Sequence, residues 1–184
     1  MPKGIRPTQD KVRKALFDIL GDIAGLSFLE LFAGSGAIGF EALSRGASEV
    51  TLVEYNRTCL LAMEKNIAAL KLENCVLYPQ EAERAIRRLH KECKKFDIIF
   101  LDPPYYKGTA PRLRSGSTAS SVGEPLTKKT LQTLSAYDIL APNGFVVAQH
   151  FRKDGLPAEN GELILIKEAR YGDTLLSFYK KRED

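Results

Sequence analysis

Apolar residues recur along this chain in two rhythms. Short, nearly continuous apolar runs alternate with longer stretches in which they return every three or four positions. Val12, Ala15, Leu16, Ile19 and Leu20 make one apolar stripe behind Thr8, a helix-capping residue, and Gly21 or Gly25 ends the helix. Residues 1–25 thus form an N-terminal helical segment. Ser27 to Phe32 reads as a buried strand. Gly34 to Gly39 then turn the chain into a helix that runs to about Arg45 and stops at Gly46. Glu49 to Glu54 is a second strand. Asn56 caps the next helix, whose apolar positions are Leu60, Met63, Ile67 and Leu70. A short strand, Cys75 to Tyr78, precedes a basic helix from about Glu81 to Cys93. Phe96 to Leu101 is a fourth strand.

Strand followed by helix, repeated with apolar strands, predicts an α/β fold: a parallel sheet covered by helices on both faces. The stretch 107–123 breaks the rhythm. It is rich in Gly, Ser, Thr, Arg and Pro, has no apolar period, and reads as a flexible insertion. Leu126 to Leu140 resumes a helix, Pro142-Asn143-Gly144 makes a turn, and Phe145 to Gln149 is a fifth strand. Gly161 to Ala169 and Thr174 to Lys181 then predict a hairpin around Tyr171-Gly172-Asp173, which adds antiparallel strands at one edge of the sheet. One domain over 1–184 accounts for the whole pattern.

Composition changes this picture little. Of 184 residues, 44% are hydrophobic and 27% charged, as in ordinary globular chains, and no apolar run has the length of a membrane span. No apolar stretch of signal-peptide type follows Met1-Pro2-Lys3, so a cytoplasmic location is expected. The three cysteines, Cys59, Cys75 and Cys93, are scattered and there are two histidines, so packed thiols are expected and neither disulfides nor a metal site. The net charge of +4 leans mildly toward polyanionic partners.

Chemistry enters at two places. Gly34-Ser35-Gly36-Ala37-Ile38-Gly39 fits G-x-G-x-x-G between a predicted strand and a predicted helix. Glycines allow close backbone approach, and a helix N-terminus offers N–H groups. Glu54 follows Gly34 by twenty residues, at the end of the next strand, where a carboxylate can accept both ribose hydroxyls. These features point to an adenosine-containing ligand. They do not choose between a dinucleotide and S-adenosylmethionine.

Asp102-Pro103-Pro104-Tyr105 discriminates further. It ends the fourth strand, at the carboxyl edge where open α/β sheets bind ligands. The two prolines make a rigid corner without N–H donors. An exocyclic amine is a poor nucleophile because its lone pair is delocalised into the base. Acceptors such as the Asp102 carboxylate and the Pro103 carbonyl orient it and stabilise the charge that grows on nitrogen. Tyr105 offers a face on which an extruded base stacks, for about 1–3 kcal/mol. Methyl transfer to a planar amine is the reaction such a corner suits, and it needs no metal.

With these motifs in hand, the sequence resembles the bacterial RsmD family of 16S rRNA guanine-N2 methyltransferases. The resemblance runs through Arg6-Pro7-Thr8, Val12-Arg13, Phe32-Ala33-Gly34-Ser35-Gly36, Glu41 to Ala47, Leu52-Val53-Glu54, Asn66 with Leu70, Asp102-Pro103-Pro104-Tyr105 and Tyr171-Gly172-Asp173-Thr174. It implies a Rossmann-like class I methyltransferase fold with a mostly parallel seven-stranded sheet and an antiparallel C-terminal hairpin. It implies S-adenosyl-L-methionine held by Glu30, Phe32, Ala33, Gly34, Ser35, Gly36, Glu54 and Glu81, with Ala33 to Gly36 at the methionine end, Glu54 at the ribose and Glu81 near the adenine. The target guanine is implied to sit at Asp102, Pro103, Pro104 and Tyr105. Arg6, Thr8, Arg13 and Tyr105 are implied to engage substrate: ribosomal RNA, in an assembling small subunit. A monomer is expected, since no unpaired apolar surface is evident in the sequence. Family members usually carry a basic strand pair ahead of the Arg-Pro-Thr segment, and Gln149 stands where Glu is more common.

Three basic groups remain. Arg84, Arg87, Arg88, Lys91, Lys94 and Lys95 read as a solvated helix face. Lys3, Arg6, Lys11, Arg13 and Lys14 lie by the implied active-site mouth. Arg112, Arg114, Lys128 and Lys129 flank the insertion, which is expected to order on RNA and to stand in for the basic strand pair. The alternatives are methylation of another amine (adenine N6 in DNA or RNA, or a protein side chain), an NAD-dependent oxidoreductase and a non-catalytic RNA-binding protein.

Overall fold

The computed structural model describes residues 7–104 and 124–182, with side chains from residue 10 onward. The expected insertion 107–123, with Arg112 and Arg114, lies outside the described residues, as do Lys3, Arg6 and Tyr105; Thr8 lies in a helix, its side chain not described.

The elements are α1 (Pro7–Leu20), β1 (Ser27–Leu31), α2 (Ala37–Ser44), β2 (Glu49–Glu54), α3 (Arg57–Leu70), β3 (Cys75–Pro79), α4 (Ala82–Lys91), β4 (Phe96–Leu101), α5 (Leu126–Ala136), β5 (Leu140–Phe151), β6 (Glu159–Asn160), β7 (Leu163–Tyr171) and β8 (Thr174–Lys181). They build one sheet in the order β3-β2-β1-β4-β5-β8-β7-β6. The five strands from β3 to β5 run parallel. β8 joins β5 antiparallel, and β7 and β6 follow antiparallel. The chain starts in the middle, winds outward through β2 and β3, and returns to β4 on the other side of β1. That reversal opens a crevice at the carboxyl ends of β1 and β4.

Side chains alternate across each strand, so the sheet buries two separate cores. Phe28, Val50, Leu52, Ile98, Phe100 and Val147 pack under Leu16 and Phe17 of α1, Ala42 of α2 and Met63 of α3. Leu29, Leu31, Ile99, Leu101 and Ala148 pack on the opposite face against α4 and α5. Each fully buried side chain of this size contributes roughly 1.5–3 kcal/mol. Glu30 and, by the same alternation, Asp102 and Gln149 extend from the first face into the crevice.

Several boundaries differ from the sequence reading. Proline leads α1, one residue ahead of the expected Thr8 cap, because its fixed φ suits the first helical position. α5 stops at Ala136 rather than Leu140, and the expected turn Pro142-Asn143-Gly144 lies inside β5. There the partner of Phe96 is Leu140 but the partner of Ile98 is Phe145, so the turn residues are a bulge that β4 does not match. Among the described residues the sheet has eight strands, not seven, because two-residue β6 adds an edge too short to leave a periodic signal. On α3, Met63 is buried but Leu70 is 63% exposed, since β3 is the last strand on that side and the helix end overhangs it. All three cysteines are free; Cys59 and Cys75 are half-buried, whereas Cys93 is exposed beyond the end of α4 and is not packed.

Candidate active site

The crevice is a cleft of about 730 Å³, within the range of about 300–1,000 Å³ usual for small-molecule sites. Its floor is the loop after β1. Phe32 adopts φ +61°, a left-handed conformation that costs about 1–2 kcal/mol for a residue with a side chain. The turn is held by Ala33 N–H donating to the Val53 carbonyl at 2.9 Å and Gly36 N–H donating to Ala33 at 2.7 Å. The three glycines do different work. At Gly34 (φ +54°) a Cβ would meet nothing within 4 Å, so its Cα faces open space. At Gly39 a Cβ would lie 2.4 Å from Leu52 and 2.9 Å from Val50, so this glycine lets α2 lie on β2.

Two carboxylates brace the loop. Glu54 accepts Gly34 N–H through Oε2 at 2.8 Å, and Tyr55 N–H and Asn56 N–H through Oε1, each at 2.8 Å. Glu30, 3% exposed, accepts Gly39 N–H at 2.8 Å. The N-cap residue of α2, Gly36, has no side chain to cap with, so Glu30 supplies the cap from β1. The sequence reading offered that helix end to a ligand; instead a carboxylate of the protein engages it. Burial, together with the neighbouring charges of Asp102 and Glu54, pushes the Glu30 carboxyl up to about 8 against the opposing hydrogen bond from Gly39. A diphosphate would here meet three acidic side chains and a helix end whose Gly39 N–H is already taken, whereas a bound cation would draw the Glu30 and Asp102 carboxyls toward ionisation. A cationic ligand meets a favourable field.

Asp102 ends the cleft above this loop. Its Oδ2 accepts Gln149 Nε2 at 3.0 Å, while its Oδ1 is buried with no hydrogen-bond partner among the described residues. Burial pushes its carboxyl up to about 7, opposed by the Gln149 hydrogen bond. Register explains the pairing: Leu101 is opposite Ala148, so the next residues, Asp102 and Gln149, lie side by side. Pro104 lines the cleft and Pro103 is buried beside it.

The structure brings Glu30, Phe32, Ala33, Gly34, Ser35, Glu54, Asp102, Pro104 and Arg13 to one cleft. Gly36 shapes the loop beneath. Arg13, on α1, pairs with Asp10 at 3.0 Å at the cleft mouth. Glu81 is not among the lining residues: it sits at the N-cap of α4, exposed, 3.9 Å from Arg84. Sequence reasoning missed Tyr55, Asp10 and the role of Gln149. Tyr55 directly follows Glu54 and is a 61% exposed aromatic, the one signal that singles it out. The basic α4 surface is laced with acid: Arg88 pairs with Glu92 at 2.7 Å, Lys94 with Glu49 at 3.9 Å, and Lys95 with Asp138. Lys128 and Lys129 pair with Glu124 and Glu83, at 2.8 and 2.7 Å. Among the described residues no group of three or more His, Cys, Asp or Glu is placed to hold a metal, and no helix is long and apolar enough to cross a membrane.

The family model described as Conserved hypothetical protein 95 matches residues 1–118. The Bacillus subtilis protein named "Putative rRNA methyltransferase YlbH" is 35% identical over 179 residues, spanning 96% of this chain and 88% of its own length. Ribosomal RNA small subunit methyltransferase D of Escherichia coli is 31% identical over 179 residues, spanning 97% of this chain and 80% of its own. A solved Escherichia coli structure titled "Putative methyltransferase yhhF" superposes with a TM-score of 0.76 at 28% identity, covering 100% of this chain and 92% of that one.

Proposed function

The chain belongs to the Conserved hypothetical protein 95 family, the family of the bacterial RsmD rRNA methyltransferases, and from that premise we propose that it transfers a methyl group from S-adenosylmethionine to the exocyclic N2 of a guanine in small-subunit rRNA. The observation that carries the reading is Asp102: a buried carboxylate oxygen without a donor, at the end of β4, in the same cleft as the loop Phe32 to Gly36.

The cleft suits this cofactor. Its carboxylates favour a cation and a diol and disfavour phosphate, and the open Cα of Gly34 leaves room for close approach. Phe32 to Gly36, Glu30 and Glu54 are the residues that would hold it. Glu54 already accepts three N–H groups, which fixes its orientation; its fourth acceptor site can take a ribose hydroxyl. When bound, the cofactor supplies an electrophilic methyl on a sulfonium. The chain's own residues prepare the acceptor. Asp102 Oδ1 accepts an N–H of the amine, aims its lone pair and stabilises the charge that develops on nitrogen. Once the methylated amine is acidic, its proton passes to Asp102 Oδ1. A carboxyl held near 7 can take that proton and release it to water. The Pro103 carbonyl is the second acceptor in this scheme and Tyr105 the stacking face.

The same reading has Arg13 engage RNA phosphate at the cleft mouth, and has the protein work as a cytoplasmic monomer on an assembling subunit, where bases are still accessible. The test is transfer of labelled methyl groups to rRNA, free and in ribosomal particles, followed by nucleoside mapping. Label in N2-methylguanosine is expected. Label confined to adenine, or none in any rRNA preparation that binds the protein, overturns the reading.

A further inference from the structure

One residue of the cleft has a geometry that the scheme above leaves unused. Gln149 lies on β5, buried to 9% exposure, and lines the cleft beside Asp102. A side-chain amide can usually turn either end toward a ligand. Here it cannot. Asp102 Oδ2 accepts and cannot donate when ionised, so the amide must point Nε2 toward it, as the 3.0 Å contact records. With one Nε2 hydrogen held there, Oε1 is the amide's acceptor end on a residue that lines the cleft, and no described residue donates to it. Asp102 Oδ1 is likewise without a donor among the described residues. The pair therefore offers two acceptor oxygens, Asp102 Oδ1 and Gln149 Oε1, beside the second Nε2 hydrogen.

We propose that Gln149 is a specificity-determining residue that accepts the N1–H of the target guanine through Oε1 while Asp102 Oδ1 accepts the adjacent N2–H. This rests on the guanine-N2 reading and sharpens it. Guanine carries two neighbouring donors, N1–H and N2–H, on this edge. Adenine and cytosine each carry a ring-nitrogen acceptor beside their amine. Either base would set a lone pair against Oε1, and the amide cannot flip to relieve it without breaking its hydrogen bond to Asp102. A site built on buried acceptors rejects a substrate lacking the matching donor far more strongly than an apolar pocket does. Burial of Asp102 Oδ1 and of Gln149 sharpens the effect, because an acceptor left without a donor in such a place is costly.

The experiment uses the full chain and rRNA carrying either guanine or 2-aminopurine at the methylated position found by nucleoside mapping. 2-Aminopurine keeps the amine but has an unprotonated N1. The wild type is expected to prefer guanine by at least about 100-fold in kcat/KM. Gln149→Leu is expected to lose turnover on guanine and to narrow that preference to about tenfold or less. Gln149→Glu, whose carboxylate still accepts, is expected to keep the preference, with its activity moved to higher pH because two adjacent carboxylates share a proton. Calorimetry with S-adenosylmethionine checks that each variant is folded. If Gln149→Leu slows both substrates equally, or if the wild type does not discriminate, Gln149 does not read N1–H, though guanine N2 stays the target. If mapping finds another base, the underlying reading fails and this one with it. If Gln149→Leu does not fold, loss of the preference in Gln149→Glu overturns the proposal and its retention supports it.

Discussion

Glu30 Oε2 accepts the backbone N–H of Gly39 at 2.8 Å, so the central strand β1 itself caps helix α2. The carboxylate is fully buried and sits near two others, those of Glu54 and Asp102. An anion placed there is costly without a cation, and the cost is what makes the cleft choose its ligand.

Stability without cofactor should fall as pH rises. Glu30 has an ordinary value of 4.5 and a folded value of about 8, so the folded state holds a proton that the unfolded state has lost. Its contribution is fully present below pH 4.5 and is lost as pH rises through about 8; at about 1.4 kcal/mol per unit the change is several kcal/mol. Asp102 acts in the same direction between 3.8 and about 7. Urea midpoints at pH 5 and pH 8.5 measure the fall. In Glu30→Gln most of it should vanish, while affinity for the cationic cofactor drops.

The glycines should separate binding from folding. Gly34→Ala places a methyl in open space at φ +54°, costing about 1–2 kcal/mol in strain but obstructing the cleft, so cofactor affinity should suffer more than the melting temperature. Gly39→Ala drives a methyl into Leu52 and Val50 and should destabilise by about 1–3 kcal/mol. Calorimetry and thermal melts on both variants check the contrast; equal effects on both readouts would refute it.

Asp102→Ala should retain S-adenosylmethionine binding and lose about 10²–10⁴-fold in methyl transfer, the usual worth of a positioned acid–base group. Single-turnover transfer beside calorimetry measures this. Unchanged transfer removes Asp102 from the chemistry.

The pH profile of transfer should rise through about pH 7, because Asp102 accepts hydrogen bonds fully only when ionised. The Gln149 amide favours that ionised form. Removing it in Gln149→Leu should move the rise to higher pH, which rates from pH 5.5 to 9 will show.

Arg13→Glu should weaken rRNA binding and flatten its salt dependence, since an Arg on phosphate contributes close to one unit of slope. Arg13 and Asp10 are both partly exposed, so losing their pair should leave the melting temperature almost unchanged. Filter binding at several salt concentrations tests the first point and a melt the second.

Most of the elements were legible in the sequence because period and punctuation are local. The apolar runs Ser27 to Leu31 and Phe96 to Leu101 could only be buried strands, and Asn56 does cap α3, accepting from Thr58 and Cys59 N–H at 2.9 and 3.3 Å. Glycine position is equally local, so the loop after β1 and the hairpin turn at Gly172 were readable. Where the reading slipped, a neighbour decided. Pro142-Asn143-Gly144 has the composition of a turn, yet pairing of Leu140 and Phe145 with β4 draws it into β5 as a bulge. Leu70 has the right period for a core, yet among the described residues no strand lies beyond β3 to cover it.

The sequence by itself determined that a glycine loop, an acid twenty residues on and an Asp-Pro-Pro-Tyr corner lie at strand ends, because each motif is written in consecutive residues. The glycine loop and Glu54 alone left open a dinucleotide or a sulfonium, the Asp102 corner and the resemblance pointed to the sulfonium, and the sequence assigned Gln149 nothing. Which side chains surround the loop and the corner was decided by tertiary structure. Glu30 meets Gly39 because β1 runs beneath α2, and Gln149 meets Asp102 across 47 positions because β4 and β5 pair in one register. Charge and hydrogen-bond direction at a site depend on which side chains share a buried space, and sheet pairing sets that.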